Sequence, residues 1–479
     1  MVSEPLVDRL PEWERLERAW SSARHGRPQL LVVWGRRRVG KTFLLSHFTR
    51  GKRVVFFGAT QQAGPVELAR LADAVRRDLG EHAGDLSGGA FTSWEAALRF
   101  FAALASTEPL IVVLDEVPYL ARSTPGFPSI VQTVWDHVAP NTKLMLVLTG
   151  SAVGTIEDML GARGSLRGRP TDLLRLDPLD PWSGRAFLPR LDAESYFEAY
   201  AACGGYPLHL SAWDPAASTE DNLGVLAGRA GGILLEDAAG ILGEELPEHG
   251  GYARILAAIG RGRTRYSEIA GEADQRVEHP LNVLTRAGFV ARTSPIGAPR
   301  GARAIYMIAD TYLAFWFRVL YTDLALIEGG QGRAVLRRAR ARWQTHLGFV
   351  FEDLARAHAR RLIAAGQIPS DLVVGRWWTT SGEPCEIDVL GLRGKRTALL
   401  GEARWQADPL LRRDLEHLRR KAAYAPSPEE TPLHVLWGRS GSTPETRAAG
   451  ALTFDLEAML GVAPTAASGS RARRRRRRP

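Results

Sequence analysis

The chain has 479 residues, 45% of them hydrophobic and 24% charged, a balance that excludes wholesale disorder and a fibrous class. At about 100–150 residues per domain, three or so domains are expected, each able to bury a core without staples. The formal net charge is +9, but the last nine residues, RARRRRRRP, carry seven arginines, and without them it falls to +2. In chain order, residues 6–20 read as an entry segment and a helix, with Leu10, Trp13, Leu16 and Trp20 at helical spacing. LLVVW at 30–34 is a short, wholly apolar run of the kind a buried parallel strand requires. It leads into GRRRVGKT and the apolar helix FLLSHF, and VVFF at 54–57 follows as a second strand. Residues 65–80 and 93–105 are helical by period, LIVVL at 110–114 is a third strand, and LMLVL at 144–148 a fourth. Strands alternating with helices predict a doubly wound parallel α/β sheet.

After about residue 185 the pattern changes. Residues 192–245 are mostly helical and Ala-rich, broken by GGYP at 204–207. Residues 250–310 read as three helices (Tyr252 to Gly260, Ser267 to Ala270, Val277 to Ala287) and two short strands, with Leu281, Leu284 and Val277 facing inward. Residues 311–360 are helical and rich in arginine. Residues 371–406 alternate like strands around a turn at Arg393-Gly394-Lys395, and a helix (409–424), a strand (433–437) and a last helix near Asp455 follow. From Pro464 small residues and arginines give no reason to fold. The expected segments are 1–185, 186–248, 249–312, 313–345, 346–462 and a disordered Arg-rich tail at 463–479. The two cysteines, Cys203 and Cys385, lie far apart, which excludes a disulfide framework or a Cys-based zinc site. The best apolar run, Thr311 to Ile327, is interrupted by Arg318 and Asp323, so no membrane span is expected. The N-terminus has no basic stretch leading into an apolar one, and the chain reads as cytoplasmic.

The sharpest motif is Gly35, Arg36, Arg37, Arg38, Val39, Gly40, Lys41 and Thr42, which fits GxxxxGK(S/T) between a buried strand and a helix. Its glycines let backbone N–H groups turn toward phosphates at the positive end of the following helix. In such a loop Lys41 reaches the β- and γ-phosphates of ATP and the Thr42 hydroxyl binds Mg2+. Lysine occurs only at 41, 52, 143, 395 and 421, so each one is informative. Asp115 and Glu116 end the third strand, where ligands of parallel sheets bind. Asp115 is expected to hold Mg2+ through water and Glu116 to orient the attacking water. Thr149 and Ser151, ending the fourth strand, read either as γ-phosphate sensors or as simple helix caps.

Taken in order, LVDRLPEWERLERAW, GRRRVGKT, LIVVLDEVPYL, LTGS and GRPTDLLRLDPL resemble the archaeal-type ATPases of the signal-transducing branch of AAA-like P-loop ATPases. The likeness runs on through GGYP, a winged-helix segment and IYMIADTYLAFWFRVL, close to that family's Y-x-I-x-D-x-Y-L-x-F-W stretch, and covers about residues 5–460. It implies a helical lid, a winged helix and a nuclease-like C-terminal domain, with Arg9 near the adenine and Arg169 as a γ-phosphate-sensing arginine. The family often has Tyr where this chain has Arg167. A winged helix places its third helix in a major groove, where Arg276, Arg286, Arg300 and Arg303 can meet phosphates. The alternative is a winged helix packed on the nucleotide domain as an internal relay.

A second place for chemistry is EIDV at 386–389 with GEARW at 401–405. Folded about Lys395, Asp388 lies opposite Glu402 on one face of a hairpin, where cross-strand neighbours come within about 5.5 Å. Two carboxylates that close repel unless a divalent cation sits between them. The pattern is similar to that of PD-(D/E)xK nucleases, and the resemblance assigns Glu352 as the fold's upstream acid. The third member is normally Lys and here is Arg404, which stays protonated and cannot act as a base. Lys395 sits too far along the hairpin, and Lys421 can reach in only if its helix packs over the strands. The combined expectation is an ATP- and Mg2+-dependent switch, capable of nucleotide-dependent oligomerisation, acting on nucleic acid through the winged helix and the Arg tail. The alternative is an ATP-tuned DNA- or partner-binding regulator with an inactive nuclease fold.

Overall fold

The computed structural model describes residues 8–83, 90–151, 153–162, 164–246, 249–299, 304–379 and 383–461. The Arg tail, Arg300 and Arg303 lie outside the described residues.

Five parallel strands form the first sheet: β1 (Gln29–Trp34), β2 (Val54–Gly58), β3 (Leu110–Asp115), β4 (Leu144–Gly150) and β5 (Asp172–Arg175). Their order is β2-β3-β4-β1-β5. Every residue of β3 and β4 is buried, because helices cover both faces of the sheet. The pleat sorts side chains between two cores. Leu31 and Val33 face the helices Leu10–Arg24 and Lys41–Phe48, and Leu30 and Val32 face Gly64–Leu79 and Trp94–Thr107. β5 was not expected as a strand. It has four residues, two of them charged, and only Leu174 is buried, so no periodicity announces it and its pairing to the edge of β1 defines it.

Helices Ala193–Cys203, Pro207–Ala212, Thr219–Leu226 and Ile233–Glu245 follow the sheet. Then come three helices, His249–Gly260, Tyr266–Ala273 and Glu278–Arg286, and an antiparallel hairpin of β6 (Val290–Thr293) and β7 (Ile305–Ile308). Val277, Leu281 and Leu284 are buried, and Arg276 and Arg286 are exposed. The apolar run after Asp310 is core, with Phe315, Trp316, Phe317, Val319 and Leu320 all buried. No described helix is long and apolar enough to cross a membrane.

The 25-residue helix Arg340–Ala364 packs on the second sheet, which comprises β8 (Val373–Thr379), β9 (Cys385–Arg393), β10 (Arg396–Arg404), β11 (Pro428–Gly438) and β12 (Leu452–Phe454) in the order β12-β11-β10-β9-β8. β8, β9 and β10 form an antiparallel meander, and β10, β11 and β12 run parallel. A parallel step needs a crossover. Here the helix Arg412–Lys421 supplies it, lying on the sheet through Leu415 and Leu418. One core runs without a break from the first sheet to Trp437 of β11.

Candidate functional site

Trp34 ends β1, and the chain turns at once into the glycine loop. Gly35 has φ +152°, and a Cβ there would sit 2.0 Å from the Leu176 carbonyl oxygen, so no other residue fits. Gly40 (φ +95°) opens the helix Lys41–Phe48, and buried Val39 pins the loop to the core. Lys41 is buried, and its Nζ donates to the carbonyl oxygens of Gly35 (2.7 Å) and Arg36 (3.0 Å). The Thr42 hydroxyl donates to Asp115 Oδ2 at 2.7 Å, across the gap between β1 and β3. Thr149, at the end of β4, donates to Asp115 Oδ1 at 2.6 Å. Glu116 has φ 57° where its helix begins, and its Oε2 accepts from Ser151 N (3.1 Å) and Ser151 Oγ (2.8 Å). Thr149 and Ser151 therefore orient the two acids. A hydroxyl beside a carboxylate at a loop lined by backbone amides is a hard-oxygen donor set, which suits Mg2+ carried with a phosphate chain.

Arg9 lies against the same loop. Its Nη2 donates to the carbonyl oxygens of Val39 (3.1 Å) and Asp177 (2.7 Å), and its Nη1 to Glu12 (3.1 Å). Arg169 does not. It forks onto Asp136 at 2.8–3.0 Å, just before Thr171 N donates to Leu30 O at the start of β1. The loop follows the other end of β1, roughly 15 Å away at strand rise. Arg169, which the resemblance implies as a γ-phosphate-sensing arginine, thus precedes β5, at the end of the sheet opposite the loop.

Two of the loop's arginines reach elements that follow the sheet. The Arg36 guanidinium lies 4.2 Å over the Phe289 ring, with Nη1 3.4 Å from Asp310 Oδ2 and Nη2 3.4 Å from the Ala287 carbonyl oxygen. Asp310 also accepts from Tyr206 of the GGYP turn at 2.6 Å. Arg38 Nη2 donates to Asp237 Oδ1 at 3.0 Å, and Asp237 bonds His209 Nε2 at 2.8 Å. Burial works to raise the Asp237 carboxyl, but the bonds from His209 and Arg38 outweigh it and hold it below its ordinary value. Arg37 is exposed. Sequence reasoning missed Asp237, His209 and Asp310 as partners, because they lie from about 170 to more than 270 residues from the loop and no local pattern pairs them with it.

The second sheet gathers its own acids. The β9–β10 register pairs Val389 with Gly401, and the adjacent residue, Asp388, accepts from Ala403 N at Oδ2 at 2.9 Å. The acids that come together are Glu352, Glu386 and Asp388, with ligand oxygens within 4.8 Å of one another. Burial and then the Asp388 charge push the Glu352 carboxyl up to about 8. Burial and then Glu402 push Asp388 up to about 6. Arg376 Nη2 is 3.6 Å from Glu352, and Arg376 also pairs with Glu386. Arg356 Nη1 donates to the Asp388 carbonyl oxygen at 2.9 Å. Glu402 stands outside this triad and pairs with Arg404 and with Lys421, whose Nζ donates at 2.6 Å. Glu402 lies outside the three-acid group, but its charge is felt at Asp388. The condition set for Lys421 is met, because the packing of Leu415 and Leu418 brings its helix onto the strands and its ammonium to Glu402.

Residues 6–212 match a family described as an ATPase domain predominantly from Archaea. Residues 316–418 match a family described as archaeal and bacterial proteins of unknown function. An uncharacterized protein of Methanocaldococcus jannaschii is 27% identical over 461 residues, covering 94% of this chain and 99% of its own length. An uncharacterized ATP-binding protein of the same organism is 42% identical over 49 residues, covering 10% of this chain and 78% of its own length. A Walker-type ATPase of Pyrococcus abyssi superposes with a TM-score of 0.49 at 21% identity, covering 66% of this chain and 96% of that one.

Proposed function

We propose, on the match of residues 6–212 to an ATPase domain described as predominantly from Archaea, that the chain is an ATP-driven switch. Its nucleotide state passes through the helices after the sheet to a nuclease-like output acting on nucleic acid. The observation that carries this reading is the pair of bridges from the phosphate loop, Arg36 to Asp310 and Arg38 to Asp237. Phosphates entering the loop compete with those carboxylates for the same guanidinium charge. Nucleotide occupancy and the seating of the helix–hairpin unit are then linked by a contact and need no long pathway. Docking of Ala287 and Phe289 against Arg36 favours the internal-relay role for that unit over a free DNA-reading one.

Mg2+, when bound with ATP, neutralises charge on the β- and γ-phosphate oxygens. Thr42 and Asp115 are placed to hold it, and Thr149 fixes Asp115. Lys41 exchanges its two carbonyl partners for phosphate oxygens. Glu116, gripped at Oε2 by Ser151, offers Oε1 to orient the attacking water. At the second sheet Glu352, Glu386 and Asp388 can hold a divalent cation, since their like charges repel without one. Lys421 beside Glu402 supplies the ammonium that Arg404 cannot replace as a proton carrier. A second reading has its own support: Glu402 is neutralised by both cations, as in a nuclease fold kept for docking. The experiment is Mg2+- or Mn2+-dependent cleavage of plasmid by the full chain, with and without ATP. Cleavage lost in Asp388→Asn and Lys421→Ala supports the nuclease output. No cleavage under any nucleotide, with DNA-stimulated ATP turnover, leaves the regulatory reading.

A further inference from the structure

A cavity of about 470 Å3 opens where β7, the helix Arg340–Ala364 and the strands β8 and β9 meet. It falls within the roughly 300–1,000 Å3 span of small-ligand sites. Much of its wall comes from the IYMIADTYLAFWFRVL stretch, which the phosphate loop and the carboxylates leave without a role beyond Asp310. Three aromatic side chains line it, Tyr306, Phe349 and Trp378, each half-buried.

The charge in the wall is uneven. Asp353 pairs with Arg356, and Glu386 pairs with Arg376. Arg318 is different. Its Nη1 bonds His346 Nδ1 at 3.0 Å, and its guanidinium lies 4.4 Å over the Phe349 ring. His346 Nε2 bonds the Ala201 carbonyl oxygen at 2.8 Å, so the ring's proton is on Nε2 and Nδ1 accepts from Arg318. Burial, with Arg318 adding to it, pushes this imidazole down to about 3, so it is neutral. Among the described residues Arg318 hydrogen-bonds a neutral ring nitrogen and lies on a phenyl face; burial pushes its guanidinium down to about 10 against the charges of Asp353 and Glu352, acids already paired with Arg356 and Arg376. A desolvated guanidinium in that setting calls for an anion, and the aromatic walls call for a flat ring beside it.

We propose that this cavity receives one nucleoside monophosphate unit, with its phosphate on Arg318 and its base against Trp378, either as a free nucleotide or as the unpaired end of a strand. Glu386 and Arg376 belong both to this wall and to the Glu352–Glu386–Asp388 cluster. A strand end seated in the cavity therefore brings its neighbouring phosphodiester toward the acids. In that respect the inference rests on the nuclease-like reading and gives it a substrate class, unpaired ends over blunt duplex.

The test uses the full chain in EDTA and three probes: 2-aminopurine deoxyribonucleoside monophosphate, a duplex with 2-aminopurine in a short overhang, and the blunt duplex. Quenching of 2-aminopurine reports stacking. The overhang, the monophosphate or both are expected to bind roughly tenfold or more tightly than blunt duplex, and Trp378→Leu and Arg318→Gln to remove that advantage. Quenching of the overhang alone identifies a strand end, and quenching of the monophosphate alone a free nucleotide. Arg318→Gln is checked by thermal unfolding, and Trp378→Leu keeps the test valid where that variant does not fold. No quenching with any probe, or quenching equal in both variants and the wild type, overturns the inference. Quenching without Mg2+-dependent cleavage leaves the cavity assigned and sinks the nuclease reading. Cleavage with equal affinity for blunt and overhang duplex does the reverse.

Discussion

The two acidic sites of this molecule are built on opposite principles. Asp115 and Glu116 are adjacent in sequence, end one strand, and are held by the hydroxyls of Thr42, Thr149 and Ser151. Glu352, Glu386 and Asp388 come from a helix and a strand and are crowded together at a site that runs from buried Asp388 to exposed Glu386. Neutral donors set the first pair in position without contesting its charge. In the second cluster burial first, and then neighbouring carboxylate charge, pushes Glu352 and Asp388 up, a cost that a cation or a proton relieves. The first site is prepared for a cation that arrives with a ligand; the second calls for one of its own.

The largest effect that can break this contrast is at the loop. Lys41→Ala removes a buried ammonium with two hydrogen bonds available for phosphates. ATP affinity is expected to fall by about 3 kcal/mol, roughly 100-fold, in a calorimetric titration of a folded variant. Wild-type affinity would remove the loop from the binding site. Next, Glu116→Gln keeps the Ser151 contact but weakens the hold on water. Turnover should fall about 100-fold while ATP affinity stays near that of the wild type, separable by single-turnover kinetics.

The second site is sharpened by pH. The folded chain keeps the Glu352 and Asp388 protons to higher pH than the unfolded chain does. Stability from these groups is therefore greatest in acid and is lost as pH climbs from the ordinary carboxylate range through about 8. In EDTA the unfolding temperature should be several degrees lower near pH 8.5 than near pH 6. Mn2+ should recover most of that loss, and Glu352→Gln should flatten the slope. A slope unchanged in the variant would mean that other groups carry it. The smallest effect belongs to Arg169→Ala, which should leave ATP turnover within about twofold of the wild type, because the residue faces away from the crevice.

The same contrast explains what could be read from the sequence. The loop and its acids lie within contiguous strand–loop–helix segments, where local residue types dictate local geometry. The hairpin itself was legible from the turn at Gly394, but its exact register was not, because an irregularity between Thr397 and Leu399 shifts the pairing by one residue. Lys421 was not, because its place depends on how the helix Arg412–Lys421 rolls on the sheet, which Leu415 and Leu418 decide only through tertiary packing. The place of Glu386 beside Glu352 is not legible either, since strand alternation cannot say which residue of the helix Arg340–Ala364 will face it. The bridges from Arg36 and Arg38 join segments too distant for any local pattern, in a chain where arginine is common.

The central claim is that nucleotide in the loop is felt at Asp310 and Asp237 through those two arginines. Hydrogen exchange over residues 233–245 and 304–312 of the full chain, with and without ATP–Mg2+, tests it most directly. The account predicts a change in protection over both segments in the wild type and little change in an Arg36→Gln, Arg38→Gln double variant that still binds ATP. Equal responses in the two proteins, or none in the wild type at saturating ATP, would contradict it.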